Sequence, residues 1–157
     1  MAYSAFLSHS SGDRALAEGM RTLAALAGVE LYLAEHDVQP GSLLSEKVRA
    51  AIERSDIVVV LLTPSSYSSA YVHQEVGYAI RSDKFVLPVV ELSVPRDALA
   101  MLEGVEYVPL DFNAPQQATV ALAGQLKRRR TQKLRGDVIV AAILVTLLAL
   151  ALAQEAR

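Results

Sequence analysis

Short apolar runs alternate along the chain with longer segments in which apolar residues recur at helical spacing. The strongest run is DIVVVLLT at residues 56–63, an unbroken series of β-branched residues and leucine that is typical of a strand covered on both faces. Similar runs predict four further strands, and the periodic segments predict helices between them. The strands are expected at 2–8, 29–34, 56–63, 84–92 and 106–112. The helices are expected at 12–28, 42–55, 71–82 and 115–130, with a short helix or a turn at 96–104.

This alternation of strands and helices predicts an α/β fold built on a parallel sheet. With right-handed crossovers, five such strands favour the flavodoxin-like order 2-1-3-4-5, flanked by helices. The switch point of that order lies between strands 1 and 3, and a ligand crevice is expected outside their carboxyl ends. The segments that wall this crevice are residues 8–13, SHSSGD, and residues 64–75, PSSYSSAYVHQE.

The third predicted helix carries a carboxylate beside this crevice. The stripe that we expect to face the sheet consists of Val72, Val76, Ala79 and Ile80. The neighbouring stripe consists of Tyr71, Glu75 and Tyr78. Its rings and its carboxylate could together hold a planar base and a sugar. The residues alone leave a second interpretation open, in which Glu75 is a solvated charge that gains only a few tenths of a kcal/mol from the helix dipole.

The loop after the first strand offers hydroxyl and backbone N–H groups at a helix N-terminus, where a phosphate or a ribose can be held. The hydroxyls are those of Ser8, Ser10 and Ser11. The alternative is that Ser11 or Asp13 simply caps the helix. The chain has no GxGxxG and no Walker motif, and Thr63 stands where a receiver domain needs an aspartate. These observations argue against a glycine-motif dinucleotide site, a P-loop and a receiver.

Charge is unevenly distributed along the chain. Residues 1–126 hold 8 Lys/Arg against 15 Asp/Glu, whereas residues 127–157 hold 7 against 2. The acidic body lacks the basic surface that nucleic acid requires, so we expect no nucleic-acid partner. The absence of cysteine excludes disulfides and thiolate chemistry, and the three histidines show no metal-ligand spacing. We therefore predict no metal site.

Four segments together resemble the successive boxes of a Toll/interleukin-1 receptor (TIR) domain, and of its bacterial members particularly. They are AYSAFLSHSSGD, AEHDVQPGSLL, SDIVVVLLTPSSYSS and AYVHQEVGYAI, and the match covers residues 2–126. The resemblance implies a TIR domain over residues 1–126. It also implies cleavage of the nicotinamide–ribose bond of NAD+, with NAD+ as the substrate and no resident cofactor.

By this resemblance Glu75 on the third helix is the catalytic residue, and Tyr71 is the aromatic residue that precedes it by one helical turn. Glu75 would act as an anion that grips the ribose hydroxyls and faces the positive charge developing on the sugar. The substrate pocket would be lined by Ser8, His9 and Ser10. Tyr71 replaces the tryptophan that is commoner in the family, and the role of Glu35, after the second strand, stays open.

The resemblance further implies that a loop of one protomer completes the site of a neighbour, so that activity requires a homo-oligomer held by TIR–TIR contacts. The residues of this assembly loop are Asp37, Pro40 and Gly41. A role in bacterial antiphage defence is implied in the same way. Two rival functions stay open, which are a non-enzymatic TIR–TIR scaffold at the membrane and a nucleoside N-glycosyl transferase that does not use NAD+.

Residues 138–153, VIVAAILVTLLALALA, contain Thr146 as their only polar residue. As a helix they would extend roughly 24 Å at about 1.5 Å per residue, against roughly 30 Å of bilayer hydrocarbon. We predict a transmembrane helix at 137–154, crossing with slight bilayer thinning, and a basic juxtamembrane linker at 127–136. The positive-inside rule would place the TIR domain on the cytoplasmic side of the inner membrane in a single-pass protein.

Overall fold

Five parallel strands form one sheet. They are β1 (Tyr3–Ser8), β2 (Val29–Leu33), β3 (Ile57–Leu62), β4 (Val86–Glu91) and β5 (Val108–Leu110). Their order is β2-β1-β3-β4-β5, which confirms the prediction. The structure is a computed structural model and describes residues 3–26, 28–34, 45–95, 100, 102–114, 117–118 and 120–136. The central strand β3 is buried along its whole length, as its unbroken apolar sequence predicts.

The helices cover both faces of this sheet. They are α1 (Arg14–Leu26), α2 (Glu46–Arg54), α3 (Ala70–Arg81) and a C-terminal helix at residues 120–136, here called α4. A short 3-10 turn at Ser11–Asp13 precedes α1. The hydroxyls of Ser45 and Ser69 accept backbone N–H groups of the first turns of α2 and α3. These caps fix where the two helices begin, because they satisfy N–H groups that have no partner within the helix.

Two hydrophobic layers hold the helices to the sheet. On one face, Leu7 of β1 belongs to a cluster with α1 and α4, which contribute Met20 and Leu126. On the other face, Phe6 belongs to a cluster with α2 and α3, which contribute Ile52 and Val76. Successive residues of β1 thus serve opposite layers, as strand geometry requires. The buried helix stripes provide the hydrophobic free energy that fixes α1, α2 and α3 against the strands.

β1 lies at the switch point of the strand order, with β2 on one side of it and β3, β4 and β5 on the other. It pairs in parallel with β2 on one side and with β3 on the other. The carboxyl ends of β1 and β3 are therefore neighbours, with the loops that follow them at the same edge of the sheet. This arrangement confirms the predicted switch point, where ligands of open α/β sheets bind.

One prediction for α3 is wrong. Ile80 was expected to face the sheet, but 45% of its surface is exposed, and the buried residues of α3 are Val72, Glu75, Val76 and Ala79. The inward stripe therefore includes the acid and leaves out the isoleucine. Ile80 lies one residue before Arg81, the last residue of α3, at the exposed margin of the buried stripe.

Several predicted features fall on other parts of the chain. The assembly loop with Asp37, Pro40 and Gly41, the acid Glu35, and the predicted transmembrane segment 137–154 lie outside the described residues. Within the described residues, no helix combines the length and the apolar character that crossing a bilayer requires. The basic segment 127–136, expected as a linker, is the continuation of α4.

Candidate active site at the carboxyl edge of the sheet

A buried hydrogen bond joins the end of β1 to α3. Ser8 is the last residue of β1, and its Oγ donates to Oε2 of Glu75 over 2.5 Å. Ser8 is fully buried, and only 1% of Glu75 is exposed. The interpretation of Glu75 as a solvated surface charge is therefore wrong. The carboxyl group lies beside Ser8, the first residue of the segment SHSSGD that was predicted to wall the crevice.

The position of Glu75 follows from how α3 is anchored. Ser69 caps the helix, and Val72, Val76 and Ala79 are buried in the layer that covers β1 and β3. Glu75 lies on the same side of the helix as this buried stripe, because residues three and four apart are neighbours on a helix surface. Ser8, at the end of β1, has a small polar side chain. It leaves space for the buried Glu75 carboxyl group and provides the hydrogen-bond donor that this group needs.

Burial controls the protonation of Glu75. Desolvation raises the pKa of its carboxyl group to about 8, while the hydrogen bond from Ser8 acts in the opposite direction. With this pKa, the Glu75 carboxyl group is mainly protonated at pH 7. The anion that the resemblance implies for the reaction is therefore the minor form at neutral pH. A cationic ligand beside it would favour loss of the proton, since an opposite charge stabilises the carboxylate.

The two tyrosines of α3, Tyr78 and Tyr71, differ in what the structure shows of their surroundings. Tyr78 is half-buried, its hydroxyl donates to Glu53 of α2, and the guanidinium of Arg49 lies 5.7 Å from the centroid of its ring. The neighbouring Glu53 carboxylate raises the pKa of Tyr78. Tyr78 thus belongs to the contact between α2 and α3. Tyr71, also half-buried, lies one helical turn before Glu75 and stays the predicted aromatic residue of the site.

His9 lies on the other side of β1 from Ser8. It is buried, and its Nδ1 lies 3.3 Å from the Leu7 carbonyl oxygen, which can only accept a hydrogen bond, so Nδ1 carries a proton. His9 also lines a cavity of about 320 Å³ between α1 and β2, which Arg14 and Arg21 enter from α1. The structure thus brings Ser8 to Glu75 and places His9 against a different space, whose lining also includes Glu18 and Glu30.

The sequence analysis missed a buried network beside the site. Ser10 Oγ donates to Asp13 Oδ2 over 2.6 Å, and Thr63 Oγ1, just after β3, lies 2.9 Å from each Asp13 oxygen. The backbone N–H of Ser65 donates to the same Thr63 hydroxyl over 3.1 Å. Ser10 therefore holds Asp13 in place instead of standing free in the pocket. Ser10 is also the N-cap residue of the 3-10 turn, without a capping bond from its side chain. The interpretation that Ser11 or Asp13 caps the following helix stays a prediction.

His73, which follows Val72 on α3, lies outside the site. Its side chain is exposed, and its Nε2 lies 2.5 Å from the Tyr67 carbonyl oxygen, to which it donates. Among the described residues, no group of three histidine, aspartate or glutamate side chains could hold a metal ion. The site that the structure describes is thus one buried acid, one serine donor and the loops around them.

A protein-family model described as TIR domain matches residues 5–126. The chain belongs to the TIR domain family. A curated relative of this TIR domain is a probable 2' cyclic ADP-D-ribose synthase, BdTIR, from Brachypodium distachyon, which is 28% identical over 115 residues. The alignment covers 70% of this chain and 51% of the relative, so the chain spans about half the length of that curated relative.

Solved structures share the fold of this TIR domain. The TIR domains of the activated Roq1 resistosome match with a TM-score of 0.63 and 15% identity, covering 80% of this chain and 99% of theirs. The TIR domain of the Toll-related receptor TRR-2 from Hydra magnipapillata matches with a TM-score of 0.61 and 18% identity, covering 80% of this chain and 97% of that domain. At these identities the similarity extends to the fold alone.

Proposed function

We propose that this TIR domain cleaves the nicotinamide–ribose bond of NAD+ and that Glu75 is the catalytic residue. The observation that carries the proposal is the buried Glu75 carboxyl group, held by Ser8 at the switch point of the sheet. A strongly perturbed acid in this position is a feature of functional sites. The relative from Brachypodium distachyon, which its name describes as a probable cyclic ADP-ribose synthase, supports the same bond as the target.

The reaction breaks the bond between the ribose carbon and the nicotinamide nitrogen. The bonding electron pair leaves with nicotinamide, which becomes neutral, and the sugar acquires oxocarbenium character. Water then attacks the sugar and loses a proton to give ADP-ribose, or a group of the ADP-ribose itself attacks to give a cyclic isomer. Because the leaving group is already cationic in NAD+, no strong general acid is required.

Glu75 acts in this scheme as a carboxylate. The positive charge of the nicotinamide ring favours loss of the Glu75 proton when NAD+ enters, because the charges then attract each other. The carboxylate next faces the sugar, where positive charge grows as the bond breaks. A negative charge fixed in a desolvated site stabilises that transition state more than the ground state. Ser8 positions the carboxylate by donating to Oε2.

The other residues contact the substrate, shape the pocket or hold the assembly together. Tyr71 packs against the substrate, His9 borders the space beside β1, and Ser10 shapes the first loop through Asp13. Assembly of several protomers through the loop with Asp37, Pro40 and Gly41 completes the site, and the C-terminal segment holds the protein at the cytoplasmic membrane. In this proposal the biological role is a signal or toxic response in antiphage defence.

The test is release of nicotinamide from NAD+ by concentrated full-length protein on lipid vesicles. Glu75→Gln keeps the size of the side chain and an acceptor for Ser8, but it cannot form an anion, so we expect release to fall by at least about 100-fold. Glu103→Gln, at an exposed position, is the matched control and should retain full activity. Far-UV circular dichroism establishes that both variants are folded.

Other outcomes separate the rivals. Equal release by the wild-type protein and Glu75→Gln would refute the catalytic role. Absence of release by wild-type protein that assembles normally would favour the scaffold. Base release from a nucleoside, with NAD+ left intact, would favour the N-glycosyl transferase.

A further inference from the structure

The basic residues of α4 divide between two faces of the helix. Those on the inner face contact the body of the domain. The guanidinium of Arg129 lies 3.4 Å from the centroid of the Phe85 ring, and Lys133 Nζ lies 2.5 Å from Asp56 Oδ1. Arg130 approaches Gly28 so closely that a Cβ at that glycine would lie 2.5 Å from its Nη1. These cations are thus part of how α4 is docked.

The outer face carries the other three cations. Lys127, Arg128 and Arg135 are exposed, and the structure assigns them no ion pair with any residue that it describes. At about 100° per residue they fall within roughly 100° of one another on the helix. The buried Leu122 and Leu126 lie on the opposite side. The outer face of α4, defined by these three residues, is therefore a basic strip that the fold itself does not use.

The C-terminal part of α4 contacts the amino edge of the sheet, which is the edge where the strands begin. Gly28, Asp56 and Phe85, which its inner face contacts, directly precede β2, β3 and β4. Ser8 and Glu75 lie at the carboxyl edge, beyond strands of about 20 Å at roughly 3.3 Å per residue. The chain therefore leaves the domain on the side away from Glu75. Residues 138–153, with Thr146 as their only polar residue, follow within two positions of the end of the described helix.

We propose that the outer face of α4 binds anionic lipid headgroups, so that the amino edge of the sheet faces the bilayer and the edge with Ser8 and Glu75 faces the aqueous phase. The charges are complementary, because each basic residue near an anionic membrane surface is attracted to it. The body repels the same surface, since residues 1–126 hold 8 basic against 15 acidic residues. An anionic membrane surface therefore attracts the outer face of α4 and repels the rest of the domain, which favours one orientation of the domain on the membrane. The last described residue of α4, Gly136, precedes the apolar segment 138–153 by two positions in the sequence.

The first test compares vesicles of phosphatidylcholine with vesicles that also contain phosphatidylserine. The full-length protein should prefer the anionic vesicles. The triple variant Lys127→Gln, Arg128→Gln and Arg135→Gln should lose roughly 100-fold of that preference at low salt, at about fivefold for each cation. Binding to the neutral vesicles reports the apolar segment separately and should not change.

A matched control removes the same charge from elsewhere. The triple variant Arg14→Gln, Arg21→Gln and Lys47→Gln changes three exposed positions on α1 and α2 and should keep the wild-type preference. The proposal is overturned if the wild-type protein shows no preference for anionic vesicles, or if the two triple variants lose it equally. Because binding is the readout, the result is independent of the proposed NAD+ cleavage.

The second test measures orientation directly. The chain has no cysteine, so a single introduced cysteine gives a unique fluorescent label. Arg54→Cys places the label at an exposed site near the amino edge, and Ser68→Cys places it at an exposed site near the carboxyl edge. A nitroxide quencher on the lipid headgroup should quench the label at 54 more strongly than the label at 68. Equal or reversed quenching would overturn the proposed orientation.

Discussion

Ser8 and Glu75 are linked by a buried hydrogen bond of 2.5 Å, although 67 positions separate them in the sequence. The bond connects the end of β1 to the middle of α3. It also opposes the effect of burial, because burial raises the pKa of the Glu75 carboxyl group and the donated hydrogen bond lowers it. Ser8 is therefore a positioning residue that also governs how readily Glu75 loses its proton.

Ser8→Ala should shift the pH dependence of the proposed NAD+ cleavage. Without the hydroxyl donor, the pKa of Glu75 rises further, and a smaller fraction of the protein holds the carboxylate at neutral pH. We expect kcat/KM to fall about tenfold at pH 7 and to recover as the pH is raised, since a hydrogen bond to a charged group contributes on the order of 1.5–3 kcal/mol. A purely structural role would lower the rate equally at every pH.

Ser68→Ala is the control for this experiment. Its hydroxyl belongs to the same loop region but is exposed, so its loss should leave the pH profile unchanged. If Ser8→Ala retained the wild-type profile, the hydrogen bond from Ser8 to Glu75 would have no part in the reaction.

The strand order was predictable because it follows from a few strong constraints. The unbroken apolar run of β3 requires a central strand, and right-handed crossovers leave few orders for five parallel strands. The same reasoning placed Ser8 and Glu75 at one edge. These are properties of chain direction and hydrophobicity, which the sequence carries directly.

The interior of the site was less predictable. Hydrophobicity favours burial of Ile80 and exposure of Glu75, whereas the structure exposes 45% of Ile80 and only 1% of Glu75. A partner from a distant segment, Ser8, makes the burial of the acid possible, and helical periodicity contains no information about such a partner. The hydrogen bond between Thr63 and Asp13 was unpredictable for the same reason. Their loops could be predicted as neighbours from the strand order, but the pairing of their side chains could not.

The proposed NAD+ cleavage should depend on pH through the raised pKa of Glu75. The free enzyme must lose a proton from this carboxyl group, so kcat/KM should rise with pH and level off above a pKa of about 8. Initial rates of nicotinamide release at low NAD+ concentration, measured between pH 5.5 and about 9.5, report this profile. A rate that decreases over the same range would instead assign Glu75 the role of a general acid.

Glu75→Gln should stabilise the protein at neutral and alkaline pH. The folded-state pKa of Glu75, about 8, lies above the ordinary glutamate value of 4.5, so the stability contributed by its proton is complete below 4.5 and is lost as the pH rises through 8. Glutamine has no proton to lose. The free energy of unfolding of the wild-type protein should therefore fall relative to Glu75→Gln by on the order of 4 kcal/mol over this interval.

Urea unfolding of both proteins at a series of pH values measures this difference. The control Glu103→Gln changes an exposed acid and should follow the wild-type curve at every pH. A constant difference between the wild-type protein and Glu75→Gln would mean that the pKa of Glu75 is the same in the folded and unfolded states.

Thr63→Val should destabilise the fold through the network around Asp13. Valine has nearly the same shape but lacks the hydroxyl that contacts both Asp13 oxygens and accepts the Ser65 N–H. Asp13 is buried, so its carboxylate would be left with one fewer donor where water cannot replace it. We expect a loss of about 2–3 kcal/mol in the free energy of unfolding, measured with urea. Thr22→Val, at an exposed position of α1, is the control, and an equal loss in both variants would show that the network contributes nothing to stability.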